Sequence, residues 1–253
     1  MRVGVIVLPE HGAREMASRW RRLDAWGFDS AWTYDHLAWR DLAGRPWHAT
    51  VPTLAAAALV TERIRLGTFV ASPNYRHPVP FAKELMTLDE LSGGRFTLGV
   101  GAGGTGADAE VLGQAPLAAG ERVSRFAEFV ELLDRLLTHP RTSYDGQWFA
   151  AVDARVVPGC VQRPRLPFVV AANGPKALRV VAAHGQGWVT TGVTRPDDGE
   201  TRWWAALPAV RDRLDETLAG AGRSPGSVER YLSVDASGAF GLSSVEHMRD
   251  VLG

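Results

Sequence analysis

Three short stretches carry residue types that could do chemistry. Asp35 and His36 stand at the end of the apolar run "DSAWTYD" (29–35). An imidazole changes charge near neutral pH, so a histidine at such a strand end suits proton transfer to or from a bound molecule. Asp35 is then the group to orient that imidazole or a bound ring, unless it only bonds loop amides; a structural histidine packing on Trp39 would read the same way. In "GVGAGG", Gly99, Gly101 and Gly104 satisfy G-x-G-x-x-G. A dinucleotide-binding turn requires a helix opening at those glycines, usually in the first βα unit. Here the motif follows the fourth apolar run and precedes about fifteen loop-like residues, so that reading loses. Glycines 101, 103 and 104 would instead let a flat ligand approach the backbone. Third, Asn173-Gly174-Pro175-Lys176 opens a helix pattern directly after a strand. Unpaired N–H groups and the helix dipole make such an opening attractive to an anion, and an ordinary Asn-capped helix start has the same sequence.

Other chemistries are excluded. Cys160 is the only cysteine, so no intrachain disulfide or thiolate metal cluster can form. No histidines stand at metal-ligand spacing and no G-x-S-x-G occurs, so no metal site is expected. Lys+Arg and Asp+Glu are equal at 28 each, which gives no electrostatic footprint for nucleic acid or an anionic membrane. The expectation is a cytoplasmic protein with a small-molecule substrate, without signal peptide or membrane span, and with a homodimer allowed.

These residues need elements to hold them. Short apolar runs at 3–8, 29–35, 63–70, 95–101, 167–172, 187–192 and 230–237 read as seven strands. Helical patterns follow at 15–28, 50–62 (Thr50 as a cap), 79–93, 121–138, 175–185 and 200–222, the last interrupted or bent near Pro208. A hairpin-like insertion near 142–158 turns at Asp145-Gly146, and a final helix starts near 243. Repeated βα units mean a parallel sheet, and a doubly wound sheet and a (β/α)₈ barrel both satisfy that. An eighth strand is not found, so a barrel would lack its last βα unit; the 253 residues fit a single domain.

The stretch "RHPVPFAKELMTLDELSGGRFTLGVGAGG" strongly resembles the luciferase-like flavin and deazaflavin oxidoreductases. "GFDSAWTYDHL", "TERIRLGTFV" and "VQRPRLPFVVAANGPKALRVVAAHGQGW" resemble the same family in the same order. The resemblance implies an α/β fold of the (β/α)₈ TIM-barrel type with FMN or coenzyme F-420, a 5-deazaflavin, at the C-terminal strand ends. It puts His36 beside the reactive ring as the catalytic residue, with Asp35. It implies a non-proline cis peptide under the ring, for which Phe69-Val70 is the nearest candidate. Cofactor-binding positions are then Phe69, Val70, Ala71, Gly101, Ala102 and Gly103, with Asn173, Gly174, Pro175 and Lys176 for a phosphate. Trp39 and Trp47 are the substrate-pocket expectation, while Trp32 and Trp188 read as core; Arg76 and His77 read as structural. Reduced FMN would support monooxygenation with oxygen, whereas a deazaflavin would transfer hydride. A flavin-binding protein without turnover and an inactive truncated barrel are the alternatives. One departure counts against a sugar-phosphate dehydrogenase: some relatives of that kind have a glutamate after the fourth strand, and here no carboxylate precedes Asp108 in that loop.

Overall fold

The computed structural model of the chain describes residues 1–39, 42–104, 107–193, 199–234, 244–246 and 249. Thr105, Gly106, the expected strand end at 235–237 with Asp235, and most of the expected last helix lie outside the described residues. The chain divides into two compact units, Met1–Val169 and Val170–Gly253.

In the first unit, β1 (Gly4–Ile6), β2 (Ser30–Thr33), β3 (Arg65–Thr68) and β4 (Phe96–Gly101) pair in parallel, each beside its neighbour in chain order. A doubly wound sheet reverses its order partway. No reversal occurs among these four strands, which is the progression of a barrel. Helices α1 (Ala13–Trp26), α2 (Thr50–Val60) and α3 (Pro78–Leu91) link the strands. After β4 come α4 (Ala107–Val111) and α5 (Ala119–Thr138). Their apolar faces bury Trp20, Leu54, Phe81, Leu85, Phe126 and Phe129, with Phe81 and Phe129 stacked 6.1 Å apart. Strands β5 (Thr142–Asp145) and β6 (Ala150–Ala154) form the expected antiparallel hairpin. Its connection is longer than the Asp145-Gly146 turn: Gly146 N bonds Phe149 O, and the Glu128 carboxylate accepts from the amides of Gln147, Trp148 and Phe149.

The division between the units falls within β7 (Phe168–Ala171). The second unit continues with α6 (Pro175–His184), β8 (Gly187–Thr190), α7 (Glu200–Gly220) and β9 (Glu229–Leu232). Its strands also neighbour in chain order, with β8 and β9 parallel from Gly187 opposite Glu229. Trp203, Val210, Leu214 and Leu218 give α7 its buried face. Pro208 lies inside α7 and the helix runs through it unbroken, so the expected interruption is absent.

Two further expectations need correction. The segment after β4 is not all loop, because α4 occupies part of it. Thr50 does not cap α2: it lies within the helix behind Ala49, and its hydroxyl donates to Tyr34 O at 2.8 Å, tying α2 to the end of β2.

Gly99, the first glycine of the motif, is fixed by packing. A Cβ there would run into the Thr68 carbonyl oxygen and crowd Val70. Gly99→Ala is therefore expected to separate β3 from β4 and to cost about 1–3 kcal/mol, the usual range for overpacking. Chemical denaturation checks it, and an unchanged midpoint would contradict that close approach.

Candidate active site

Register decides which loops meet. Thr33 pairs with Thr68, and Ala71 bridges Val100, so residues 34–37, 69–74 and 101–104 leave the parallel sheet at one end. Ala71 N donates to Gly99 O and Gly101 N donates to Ala71 O, each at 2.8 Å. The Phe69-Val70 peptide is cis, as the resemblance implies. Phe69 meets Trp32 edge-on at 5.9 Å. Ala71 is fully buried, while Phe69, Val70, Ala102 and Gly103 are half-buried.

Asp35 does not orient His36. Its carboxylate is fully buried and taken by other groups: Arg76 Nε donates at 2.6 Å and a second guanidinium nitrogen at 2.7 Å, with the Tyr75 hydroxyl as a third donor. Arg76 also donates to Glu84 at 2.9 Å and lies over the rings of Tyr75 and Phe81. Burial and the Asp35 charge push the Tyr75 phenol well above its ordinary range. Burial alone would lower the Arg76 guanidinium, but its hydrogen bond and attraction to Asp35 outweigh that and raise it. A fork-to-carboxylate pair of this kind fixes geometry, so Arg76 has the structural role expected of it.

His36 finds its carboxylate elsewhere. Nδ1 lies 2.8 Å from Asp108 Oδ2, and Leu37 N donates to Asp108 Oδ1 at 2.8 Å. The His36 side chain is 14% exposed and that of Asp108 only 2%. Trp39 lies against the imidazole with centroids 4.4 Å apart, and Trp47 Nε1 donates to His36 O at 2.8 Å. Both expected pocket tryptophans therefore adjoin His36. Trp32 and Trp188 are buried, and the latter donates to Ala172 O, which agrees with core packing.

The glycine loop leads to two arginines that sequence reasoning did not single out. Gly103 has φ +80, in the left-handed region where glycine is at ease, and a Cβ there would strike the Asn74 side chain. Asn74 Oδ1 accepts from Arg125 at 2.7 Å, and Arg122, three residues earlier on α5, donates to Gly104 O at 3.3 Å. Arg125 Nε is buried with no hydrogen-bond partner, and burial lowers the pKa of its guanidinium. Among the described residues neither arginine has a carboxylate partner. An arginine remains cationic at physiological pH, so this corner of the site favours an anionic group.

In the second unit the helix opening has the expected form with one change. Gly174 is the N-cap of α6, without a side-chain cap bond, and Pro175 begins the helix. Asn173 is not the cap: it donates to Gly192 O at 2.8 Å and accepts from the Thr190 hydroxyl at 2.6 Å. Gly174, Pro175 and Lys176 are exposed, and the first turn carries no acidic residue. Among the described residues no group of histidines, cysteines and carboxylates could hold a metal, and no helix is long and apolar enough to cross a membrane.

Known proteins resemble this chain along most of its length. The family model for luciferase-like monooxygenases matches residues 1–239. A coenzyme F-420-dependent glucose-6-phosphate dehydrogenase of Beutenbergia cavernae is 39% identical over 206 residues, covering 76% of this chain and 57% of that protein. The 4-hydroxyprotoasukamycin monooxygenase of Streptomyces nodosus subsp. asukaensis is 34% identical over 231 residues, covering 83% of this chain and 59% of that one. The chain thus spans less than two thirds of the length of either relative. Its fold is similar to the crystal structure of a monooxygenase from Streptomyces bottropensis, at a TM-score of 0.74 and 24% identity, covering 100% of this chain and 79% of that one.

Proposed function

The chain belongs to the luciferase-like monooxygenase family, and from that premise we propose that it is an oxidoreductase that binds coenzyme F-420 or FMN and acts on a small organic molecule. The observation that carries this reading is the meeting of His36, the Phe69-Val70-Ala71 segment and the Gly101–Gly103 loop at one end of a parallel sheet. Active sites of barrel enzymes are built at that end.

The residues present suit the cofactor. Phe69, Val70, Ala71, Gly101, Ala102 and Gly103 offer backbone and apolar surface to a flat ring. The unpartnered Arg125 Nε, with Arg122 beside it, gives the charge an anionic side chain needs. When bound, a deazaflavin supplies hydride transfer and reduced FMN supplies oxygen activation. His36 holds or moves the proton that accompanies either chemistry. Trp39, against the His36 ring, and Trp47, bonded to the His36 carbonyl, are proposed to flank the substrate. Asp35, with Arg76 and Tyr75, fixes the backbone on which His36 stands.

Hydride transfer with coenzyme F-420 is the first reading, because the 39% identical relative is an enzyme of that dependence. Monooxygenation with FMN is the second, favoured by the 34% identical monooxygenase. The loop after β4 lacks a glutamate before Asp108, so glucose 6-phosphate is one compound among a panel of alcohols and sugar phosphates. Bleaching of oxidised coenzyme F-420 by a panel member supports the first reading. Oxygen uptake driven by reduced FMN supports the second. Tight cofactor binding with neither activity would favour a binding protein without turnover.

Two substitutions test the anionic contacts. Arg125→Ala is expected to weaken cofactor binding by about 10- to 150-fold, the equivalent of losing a charged hydrogen bond worth about 1.5–3 kcal/mol. The start of α6, Asn173 to Lys176, is proposed as cofactor-binding in its own right, and Lys176→Glu is expected to weaken binding without changing folding. A helix dipole alone is worth about 0.3–1 kcal/mol at exposed positions, so a loss greater than about tenfold would mean direct contact by Lys176. Fluorescence titration gives both dissociation constants, and an unchanged value rejects the contact concerned.

A further inference from the structure

We infer that Asp108 is a positioning residue that sets which nitrogen of His36 carries the proton. The inference deepens the proposed role of His36 and rests on it. A carboxylate in its ordinary ionised form only accepts hydrogen bonds. Asp108 accepts from Leu37 N with one oxygen, and its other oxygen lies 2.8 Å from His36 Nδ1. The proton between them therefore sits on Nδ1, and neutral His36 keeps its lone pair on Nε2. The second nitrogen is then the one that exchanges a proton with a bound molecule, and Asp108 steadies the imidazolium when it forms. The same logic makes the buried aspartate of a Ser-His-Asp triad indispensable without its ever taking the proton.

Among the described residues, the carboxylate that meets the His36 ring is that of Asp108. Asp35, next in sequence to His36, is committed to Arg76 and Tyr75. Among the described residues of its own loop, Trp39 lies with its centroid at 4.4 Å from the imidazole and Tyr34 at 6.2 Å. Asp108 comes from α4, in the same β4–α5 connection that carries Gly103 and Gly104.

A role confined to pinning the loop would also explain the Leu37 bond, and Asp108→Asn separates the two. Asparagine has nearly the same shape, and its oxygen can still accept from Leu37 N. Its amide then faces Nδ1 as a donor, which forces the proton onto Nε2. Nitrogen-15 NMR of histidine side chains reads this directly, the His36 signal being assigned by its loss in His36→Asn. The wild type is expected to show Nδ1–H with unprotonated Nε2, and Asp108→Asn the reverse. Turnover of Asp108→Asn is expected to fall by up to about 10⁴-fold, as wrong-tautomer substitutions do, with KM, cofactor affinity and melting temperature little changed. A wild-type His36 in the Nε2–H form overturns the inference whether or not the variant folds. So does a variant that loses stability and cofactor affinity in step with turnover while keeping its Nδ1–H tautomer. If the wild type shows the expected tautomer but no turnover with either cofactor, the proposed function fails and the tautomer assignment stands.

Discussion

His36→Ala is expected to lower turnover by roughly 10²–10⁴-fold, the range of a general acid–base residue, or about 3–5 kcal/mol of barrier. Cofactor affinity should change little, because the proposed ring contacts lie on the backbone at 69–71 and 101–103 and the proposed charge contacts on Arg122, Arg125 and the start of α6. His36→Asn should be similarly slow: it keeps a hydrogen-bonding group of comparable reach but exchanges no proton near neutral pH. The rate of the wild type should titrate with a group that disappears in both variants. Steady-state kinetics with the cofactor and substrate that give turnover, across pH, check this. Wild-type turnover in both variants would make His36 structural, a histidine held between Asp108 and Trp39 for packing alone.

Arg76→Met is expected to destabilise the protein by about 3–5 kcal/mol, because it leaves the Asp35 carboxylate buried and without its counter-charge. At this chain length, each kcal/mol moves the melting temperature by roughly 2–4 °C, so a drop of roughly 6–20 °C should result. Tyr75 would remain as a donor to Asp35, but a neutral hydroxyl does not replace a bidentate guanidinium. Removing the carboxylate as well, in Arg76→Met with Asp35→Asn, should recover part of the loss, since no buried charge is then left alone. Scanning calorimetry of the two variants measures both effects. A single variant as stable as the wild type would show that Asp35 is not held in the buried pair.

Much of the fold is legible in the sequence because most strands lie in short apolar runs and most of the longer helices carry an apolar face. All seven expected strands occur; six are shortened by one to four residues, and the seventh starts one residue early at Glu229, its expected end at 235–237 lying outside the described residues. Strand order is not written locally, and pairing in chain order appears only when the parallel register is known. The helix α4 is missed because five residues make little more than one turn, too short for a helical period to show. The partner of His36 is hidden with it: Asp108 lies 72 residues away in a stretch that reads as loop. Adjacency makes Asp35 the expected partner of His36, yet both residues lie just past the end of β2, where chain neighbours need not share a partner. Asp35 turns instead to Arg76, 41 residues on. Arg122 and Arg125 carry no signal within an amphipathic helix; their contacts to Gly104 and Asn74, and the buried unpartnered Nε of Arg125, are seen only in the structure. Asn173 reads as a helix cap in the sequence, but a cap is defined by backbone geometry, and the chain places Gly174 there.

Fluorescence titration of the purified chain with coenzyme F-420 and with FMN is the most direct measurement. The expected result is saturable binding of at least one of them, at one ring per chain, weakened in Arg125→Ala and largely retained in His36→Ala. Absence of saturable binding to either would contradict a ring site at the ends of β2, β3 and β4.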